Sequence, residues 1–267
     1  MKFSVLMSLY IKEKPEYLQQ CFESLAAQTR PADEIVVVFD GPVTAELEQV
    51  VQKFSEILPL VLVKLPQNRG LGKALNEGFL HCSNEWVFRM DTDDICVPER
   101  FEKQVAFIEK NPDTIILGGQ IAEFGQNIND ILSYRRVPTS ASDIVKFTQN
   151  RCPFNHMTVA YKKSEVLEVG GYQDLQEDYY LWIKLVAKGN KVANLDDILV
   201  YARIGNGMVG RRRGIEQAKA EWRLYLLKKQ VGIQGCLSGF VTFLMRSIPR
   251  LLPVSLLEKV YKFFLRK

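Results

Sequence analysis

Trp86-Val87-Phe88-Arg89-Met90-Asp91-Thr92-Asp93-Asp94 is an apolar run that ends, with no spacer, on three carboxylates within four residues. Trp86 to Met90 reads as a buried strand, and the acids mark where the chain leaves the sheet. Carboxylates this close repel one another unless a cation relieves them. Hard divalent ions such as Mg²⁺ or Mn²⁺ take oxygen ligands and commonly bridge one or two carboxylates to substrate phosphates. An Asp-x-Asp at a strand end therefore suits a metal-held diphosphate. The same residues also read as a turn and cap before a helix starting at Pro98, and on their own they leave both readings open.

The elements on either side favour an α/β fold. Phe3 to Leu9 is a first strand, and Pro15 to Gln28 a helix with Leu18, Cys21, Phe22 and Leu25 at helical spacing. Glu34 to Phe39 is a β-branched run fit for a strand covered on both faces, broken by Asp40-Gly41-Pro42. Thr44 to Ser55 is helical, Leu60 to Leu65 a strand, Gly72 to His81 a helix, Pro98 to Asn111 another helix and Thr114 to Leu117 another strand. Strands alternating with helices of this length mean βαβ units and a mostly parallel, Rossmann-like central sheet. Ligands in such sheets bind beyond the carboxyl ends of the strands, where Asp40 and Asp91 to Asp94 fall.

From about 120 to 200 the alternation loosens, with a helix expected near Tyr179 to Lys188. Gly205, Gly207 and Gly210 then link into Arg211-Arg212-Arg213 and helical sequence from Gly214 to Lys229. The expected organisation is a nucleotide-binding half at 1–118, a second half of the same domain at 119–205, and a basic helical region at 206–267. Asn68-Arg69-Gly70-Leu71-Gly72-Lys73-Ala74-Leu75-Asn76 offers close backbone approach and helix N-terminal amides, yet it is neither GxGxxG nor GxxxxGK[ST].

Composition narrows the class further. With 267 residues and 47% hydrophobic content the chain is neither disordered, collagen-like nor a disulfide scaffold. The cysteines at 21, 82, 96, 152 and 236 are odd in number and unpaired by zinc spacing, which fits reduced core thiols and a cytoplasmic setting. The amino terminus reads as a strand and not as a signal peptide. Gln230 to Met245 is uncharged, but its 16 residues are too few and too glycine-rich to cross a bilayer. Residues 211–267 carry 13 Lys and Arg against 3 Asp and Glu, while the preceding 210 residues are net acidic. Ser255 to Lys267 is amphipathic, with Leu256, Leu257, Val260, Tyr261, Phe263 and Phe264 opposite Glu258, Lys259, Lys262 and Arg266. Such a helix suits an anionic lipid interface, or packing on its own domain.

Six segments, in order, together resemble the family 2 glycosyltransferases, bacterial enzymes of the glycosyltransferase-A fold. They are Ser4-Val5-Leu6-Met7-Ser8-Leu9-Tyr10, Leu25-Ala26-Ala27-Gln28-Thr29-Arg30-Pro31, Val38-Phe39-Asp40-Gly41, Asn68 to Asn76, Asp91 to Asp94, and Glu177-Asp178-Tyr179-Tyr180-Leu181-Trp182. The resemblance spans roughly residues 3 to 203. It implies an inverting, metal-dependent enzyme that moves a hexose from a nucleotide-diphosphate sugar, most often UDP-linked, to a saccharide acceptor. By the same resemblance Asp40 meets the uracil, Ser8 and Tyr10 line the nucleotide pocket, and Asn68 and Lys73 close over base and ribose. Asp91 falls on the ribose side, Asp93 is the ligand of Mn²⁺ or Mg²⁺, and the Glu177-Asp178 pair holds the catalytic base, with Asp178 as the base itself. Many relatives have Arg where Leu75 stands and Asp-Asp-Gly-Ser where this chain reads Phe39-Asp40-Gly41-Pro42, so the motif does not specify the donor.

Relatives of this size extend polyprenyl-diphosphate-linked saccharides for O-antigen or capsule. With the basic tail, that implies a peripheral enzyme on the inner face of the cell membrane. A sugar-phosphate nucleotidyltransferase would instead carry a glycine-rich basic loop after the first strand, where Ser8 to Glu13 stands. A nucleotide-fold module with a nucleic-acid-binding tail is the non-enzymatic rival, and the tail's paired apolar and basic faces favour lipid over it. His156 as an acceptor-site residue, and Arg211 to Arg213 as diphosphate contacts, stay open beside structural and solvated roles.

Overall fold

The computed structural model describes residues 1–173, 176–189, 191–205 and 214–251, with the side chains of Glu177 and Leu251 left aside. The expectations for Arg211 to Arg213 and for Ser255 to Lys267 therefore lie outside the described residues.

β1 (Phe3–Leu9), β2 (Glu34–Phe39), β3 (Leu60–Lys64) and β4 (Trp86–Arg89) form a parallel set in the order β3-β2-β1-β4. α1 (Pro15–Ala26), α2 (Ala45–Phe54) and α3 (Leu71–His81) connect them. All seven residues of β1 are buried because helices cover both faces. Phe3, Val5, Met7 and Leu9 pack with Leu18, Phe22 and Leu47, while Leu6 packs with Ala74, Leu75 and Phe79. α3 lies close on the sheet because Gly78 has no side chain: a Cβ there would drive into Leu6 and Val38. The expected bounds of these elements hold to within one or two residues.

Beyond β4 the sheet changes character. β5 (Ile95–Cys96) and α4 (Arg100–Lys110) lead to β6 (Ile116–Phe124) and β7 (Ile131–Arg135), then α5 (Ala141–Thr148) and β8 (Ala160–Lys162). α6 (Lys163–Glu168), α7 (Glu177–Ala187) and β9 (Val192–Arg203) follow. β8 runs antiparallel to both β4 and β6, β6 pairs parallel with β9, and β5 and β7 close the far side antiparallel to β9 and β6. Among the described residues the result is one sheet of nine strands, parallel through its first four.

β6 runs seven residues past the expected end at Leu117. At Gly118 and Gly119 the strand passes tightly under Asn194 and Leu199 respectively, which a Cβ on each glycine would hit. α8 (Ile215–Gln230) and α9 (Cys236–Leu251) form a helical pair, with Leu224 and Leu227 joining the core around α7. No described helix is long and apolar enough to cross a membrane. Cys21, Cys82 and Cys96 are core thiols as expected, whereas Cys236 is exposed at the start of α9.

Candidate functional site

The ends of β1, β2 and β4 converge on one rim of the sheet. At the end of β2, Asp40 is 4% exposed. Its Oδ1 accepts the Arg69 N–H at 2.6 Å, and its Oδ2 accepts the Gly70 N–H at 3.0 Å and Asn68 Nδ2 at 2.9 Å. Gly41 has φ +86° and sits so tightly on the Asn68 backbone that a Cβ would come within 2.6 Å of its nitrogen. Asp40 and Asn68 are thus brought together directly, and the carboxylate is largely spent shaping the 68–70 turn. Gly70, at φ +85°, then opens α3.

Ser8 is buried near the end of β1, in register with Val38, while Tyr10 beyond it is 39% exposed. Lys73 is exposed on the first turn of α3, and Leu75 is fully buried in the α3 core.

At the end of β4 the acids separate by role. Asp94 is buried and accepts the Arg203 N–H at 2.8 Å. Asp91 and Asp93 keep part of their surface open. Burial, then the charges of Asp91 and Glu13, push the Asp93 carboxyl up to about 7. Burial and its two neighbours also raise Asp94 well above the carboxylate range. Negative charge is therefore in excess at this rim, the condition a cation relieves.

Two arginines that sequence reading passed over hold this cluster. Arg89 is 1% exposed; its guanidinium donates to the Met90 and Leu6 carbonyls and to Asp91 Oδ1. Arg203, at the end of β9, donates from Nε to the Asp93 carbonyl at 3.1 Å and stacks on Tyr17 with its guanidinium carbon 3.9 Å from the ring centre. The only local signal for Arg89 is a cation inside an otherwise apolar strand next to carboxylates.

Asp178 lies in the first turn of α7, half-buried. Its Oδ1 accepts the Tyr179 N–H at 2.7 Å and its Oδ2 faces the Cys152 thiol at 3.7 Å. The residue at the N-cap position is Gln176, whose side chain makes no capping bond; Asp178, two residues on, is the side chain that satisfies a first-turn amide of α7, that of Tyr179. His156 packs against Tyr172 and Trp182 and contacts the Tyr172 hydroxyl through Nε2 at 2.9 Å. Burial and Arg89 lower its pKa to about 4, against the pull of Asp91 and Asp178. Burial thus favours its neutral imidazole form. Asn76, on α3, fixes Tyr172 by donating to its carbonyl at 2.8 Å and accepting its N–H at 2.9 Å.

Among the described residues no three His, Cys, Asp or Glu side chains converge as a metal cage. The donor set fits a hard ion all the same. Mg²⁺ and Mn²⁺ commonly take one or two carboxylates and complete their shell with substrate phosphate and water. Asp93 offers oxygen donors whose charge burial and the neighbouring Asp91 and Glu13 disfavour.

A family model described as Glycosyl transferase family 2 matches residues 4–169. An uncharacterized glycosyltransferase of Haemophilus influenzae is 74% identical over 267 residues, covering all of both chains. The UDP-Gal:alpha-D-GlcNAc-diphosphoundecaprenol beta-1,3-galactosyltransferase of Escherichia coli is 38% identical, over 100% of this chain and 97% of that one. The crystal structure of S. aureus TarS 1-349 in complex with UDP-GlcNAc superposes with TM-score 0.70 at 22% identity, over 98% of this chain and 73% of that one. At that identity the likeness is one of fold, the glycosyltransferase-A fold.

Proposed function

The chain belongs to glycosyltransferase family 2, and on that premise we propose that it moves a hexose from a UDP-sugar to a lipid-diphosphate-linked saccharide, with inversion. The observation that carries this reading is the carboxylate cluster at the end of β4, where Arg89 holds Asp91 and Asp93 is raised by burial and its acidic neighbours, with the buried His156 within electrostatic reach of both Asp91 and Asp178. The full-length relative from Escherichia coli, named for a UDP-Gal donor and a GlcNAc-diphosphoundecaprenol acceptor, supports the choice of both substrates.

In this reading Ser8, Tyr10, Asn68 and Lys73 line the nucleotide. Asp40 keeps the 68–70 turn in shape and has one lone pair of Oδ1 left to accept from the base. Asp91 takes the ribose side. Asp93 would hold Mn²⁺ or Mg²⁺, which when bound offsets charge developing on the departing diphosphate.

Asp178 takes the proton from the acceptor hydroxyl as that oxygen bonds to the anomeric carbon. Attack from the face opposite the leaving group inverts the configuration in one step. Glu177 adjoins it in the chain and orients it or meets the acceptor. Trp182, whose buried Nε1 finds no acceptor among the described residues, packs in the core behind His156. The basic region 206–267 holds the enzyme at an anionic membrane surface, where a lipid-borne acceptor is found.

A thermal-shift panel of nucleotide sugars with and without Mn²⁺ tests the donor, since a bound ligand stabilises the fold by mass action. UDP-sugars should raise the melting temperature most, and more with Mn²⁺. Stabilisation by GDP- or dTDP-sugars alone would reject the donor assignment.

A further inference from the structure

α9 sits on the protein the wrong way round for a water-facing helix. Its inner side is polar: Thr242 is 7% exposed and donates to Asn150 Oδ1, Ser247 is 4% exposed, and Arg246 and Arg250 donate to Glu221. Its outer side is apolar. Leu237, Phe240, Val241, Leu244, Met245 and Ile248 repeat at helical spacing and all face out, with Leu237 80% and Met245 63% exposed. Isolated surface apolar residues are ordinary, but a continuous stripe of this kind marks a contact surface.

We infer that this outer face of α9 docks on a bilayer surface containing anionic phospholipid. Charge selects that occupant. Arg246 and Arg250 are turned inward on Glu221, but residues 252–267, which follow α9 directly, carry four basic residues against Glu258 alone, and Arg223 is exposed beside Trp222 and Phe243 of the same helical pair. A second copy of the same face, or residues 252–267 folded back on it, would cover the stripe but supply no counter-charge for these cations. Anionic headgroups complement these cations while the apolar boundary beneath them takes the stripe. A helix of 16 residues lies in the interface and does not span it.

The inference deepens the reading of a lipid-borne acceptor and rests on it for its setting, yet its test needs no donor, acceptor or turnover. Full-length chain and the double variant Leu237→Glu/Met245→Glu are co-sedimented with vesicles of phosphatidylglycerol and phosphatidylcholine, and with phosphatidylcholine alone. Both positions are exposed, and an unchanged urea midpoint checks that the variant folds. The full-length chain should bind the anionic vesicles, less so at high salt, and the variant should lose about tenfold or more in partition. The neutral pair Leu237→Gln/Met245→Gln should lose binding as well.

Variant binding equal to the parent's would overturn the inference, because residues 252–267 would then suffice. Equal binding to neutral vesicles would overturn the choice of an anionic surface. Light scattering that finds a dimer of the parent, a monomer of the variant and no vesicle binding by either would assign the face to a second copy. A chain that binds vesicles through α9 but never transfers to a lipid-linked acceptor would sink the acceptor assignment alone.

Discussion

Gln176, in the left-handed conformation at φ 49° that opens α7, donates from Nε2 to Oε1 of Glu221 on α8 across 3.1 Å. A side chain in that conformation is strained and persists only when its surroundings hold it. Here the C-terminal helical pair does so, two residues before Asp178. Arg246 and Arg250 close on the same buried carboxylate, and Lys228 donates to the Gln149 carbonyl at 2.8 Å. α8 and α9 thus brace the turn that presents the proposed base.

Gln176→Gly keeps a residue at ease at positive φ while removing the side-chain bond. Its kcat should fall roughly fivefold, about one hydrogen bond's worth, with the donor KM unchanged. A purely structural brace would lower the melting temperature and leave kcat per folded molecule as it was. Steady-state kinetics beside a thermal melt separate the two.

Glu221→Ala leaves two arginines facing each other without their shared acceptor. Breaking a buried ion pair on one side costs about 3 kcal/mol, which urea unfolding should record. Arg246→Ala should cost less, since Arg250 still pairs with Glu221.

Asp40→Asn can keep only part of the three bonds to the 68–70 turn, because an amide nitrogen does not accept. A stability loss of about 2 kcal/mol is expected, together with a raised donor KM. Equilibrium unfolding and UDP titration by calorimetry check both.

Asp178→Asn should lower turnover by about 100-fold or more while UDP affinity stays near that of the parent. Asp93→Ala should remove the dependence of turnover on Mn²⁺. Near-normal rates of the Asp93 variant in saturating Mn²⁺ would count against that ligand.

Lys228 carries a pH signature. Burial, then the Arg246 charge, lower its pKa to about 7. The unfolded chain, with an ordinary lysine near 10.4, therefore binds more protons across the interval between the two values. Stability then rises with pH from about 7 to about 10, and the full penalty of charging Lys228 applies below that window. In Lys228→Met this rise should flatten, as measured by urea unfolding at several pH values.

The amino-terminal half was legible in the sequence because its signals are local. Phe3 to Leu9 and Glu34 to Phe39 are apolar runs that only a doubly covered strand accommodates, and each strand's end announces the polar residues that follow it. The same logic located the acids after β4 and the turn before α3. It stopped at Leu117, beyond which Gly118 and Gly119 carry β6 on through a close approach to Asn194 and Leu199.

What the chain's order alone determined is the α/β alternation, the rim where its acids gather, and its membership in a family. Only the tertiary structure decided that Asp40 spends its carboxylate on a turn 29 residues away, that Arg89 is sealed under Asp91, and that α9 turns its apolar side outward. Those outcomes depend on pairings between distant residues, and on which face of an element is covered. Periodicity reports how polar each side of a helix is; which side meets the protein depends on what stands opposite, here the acceptors offered by Glu221 and Asn150.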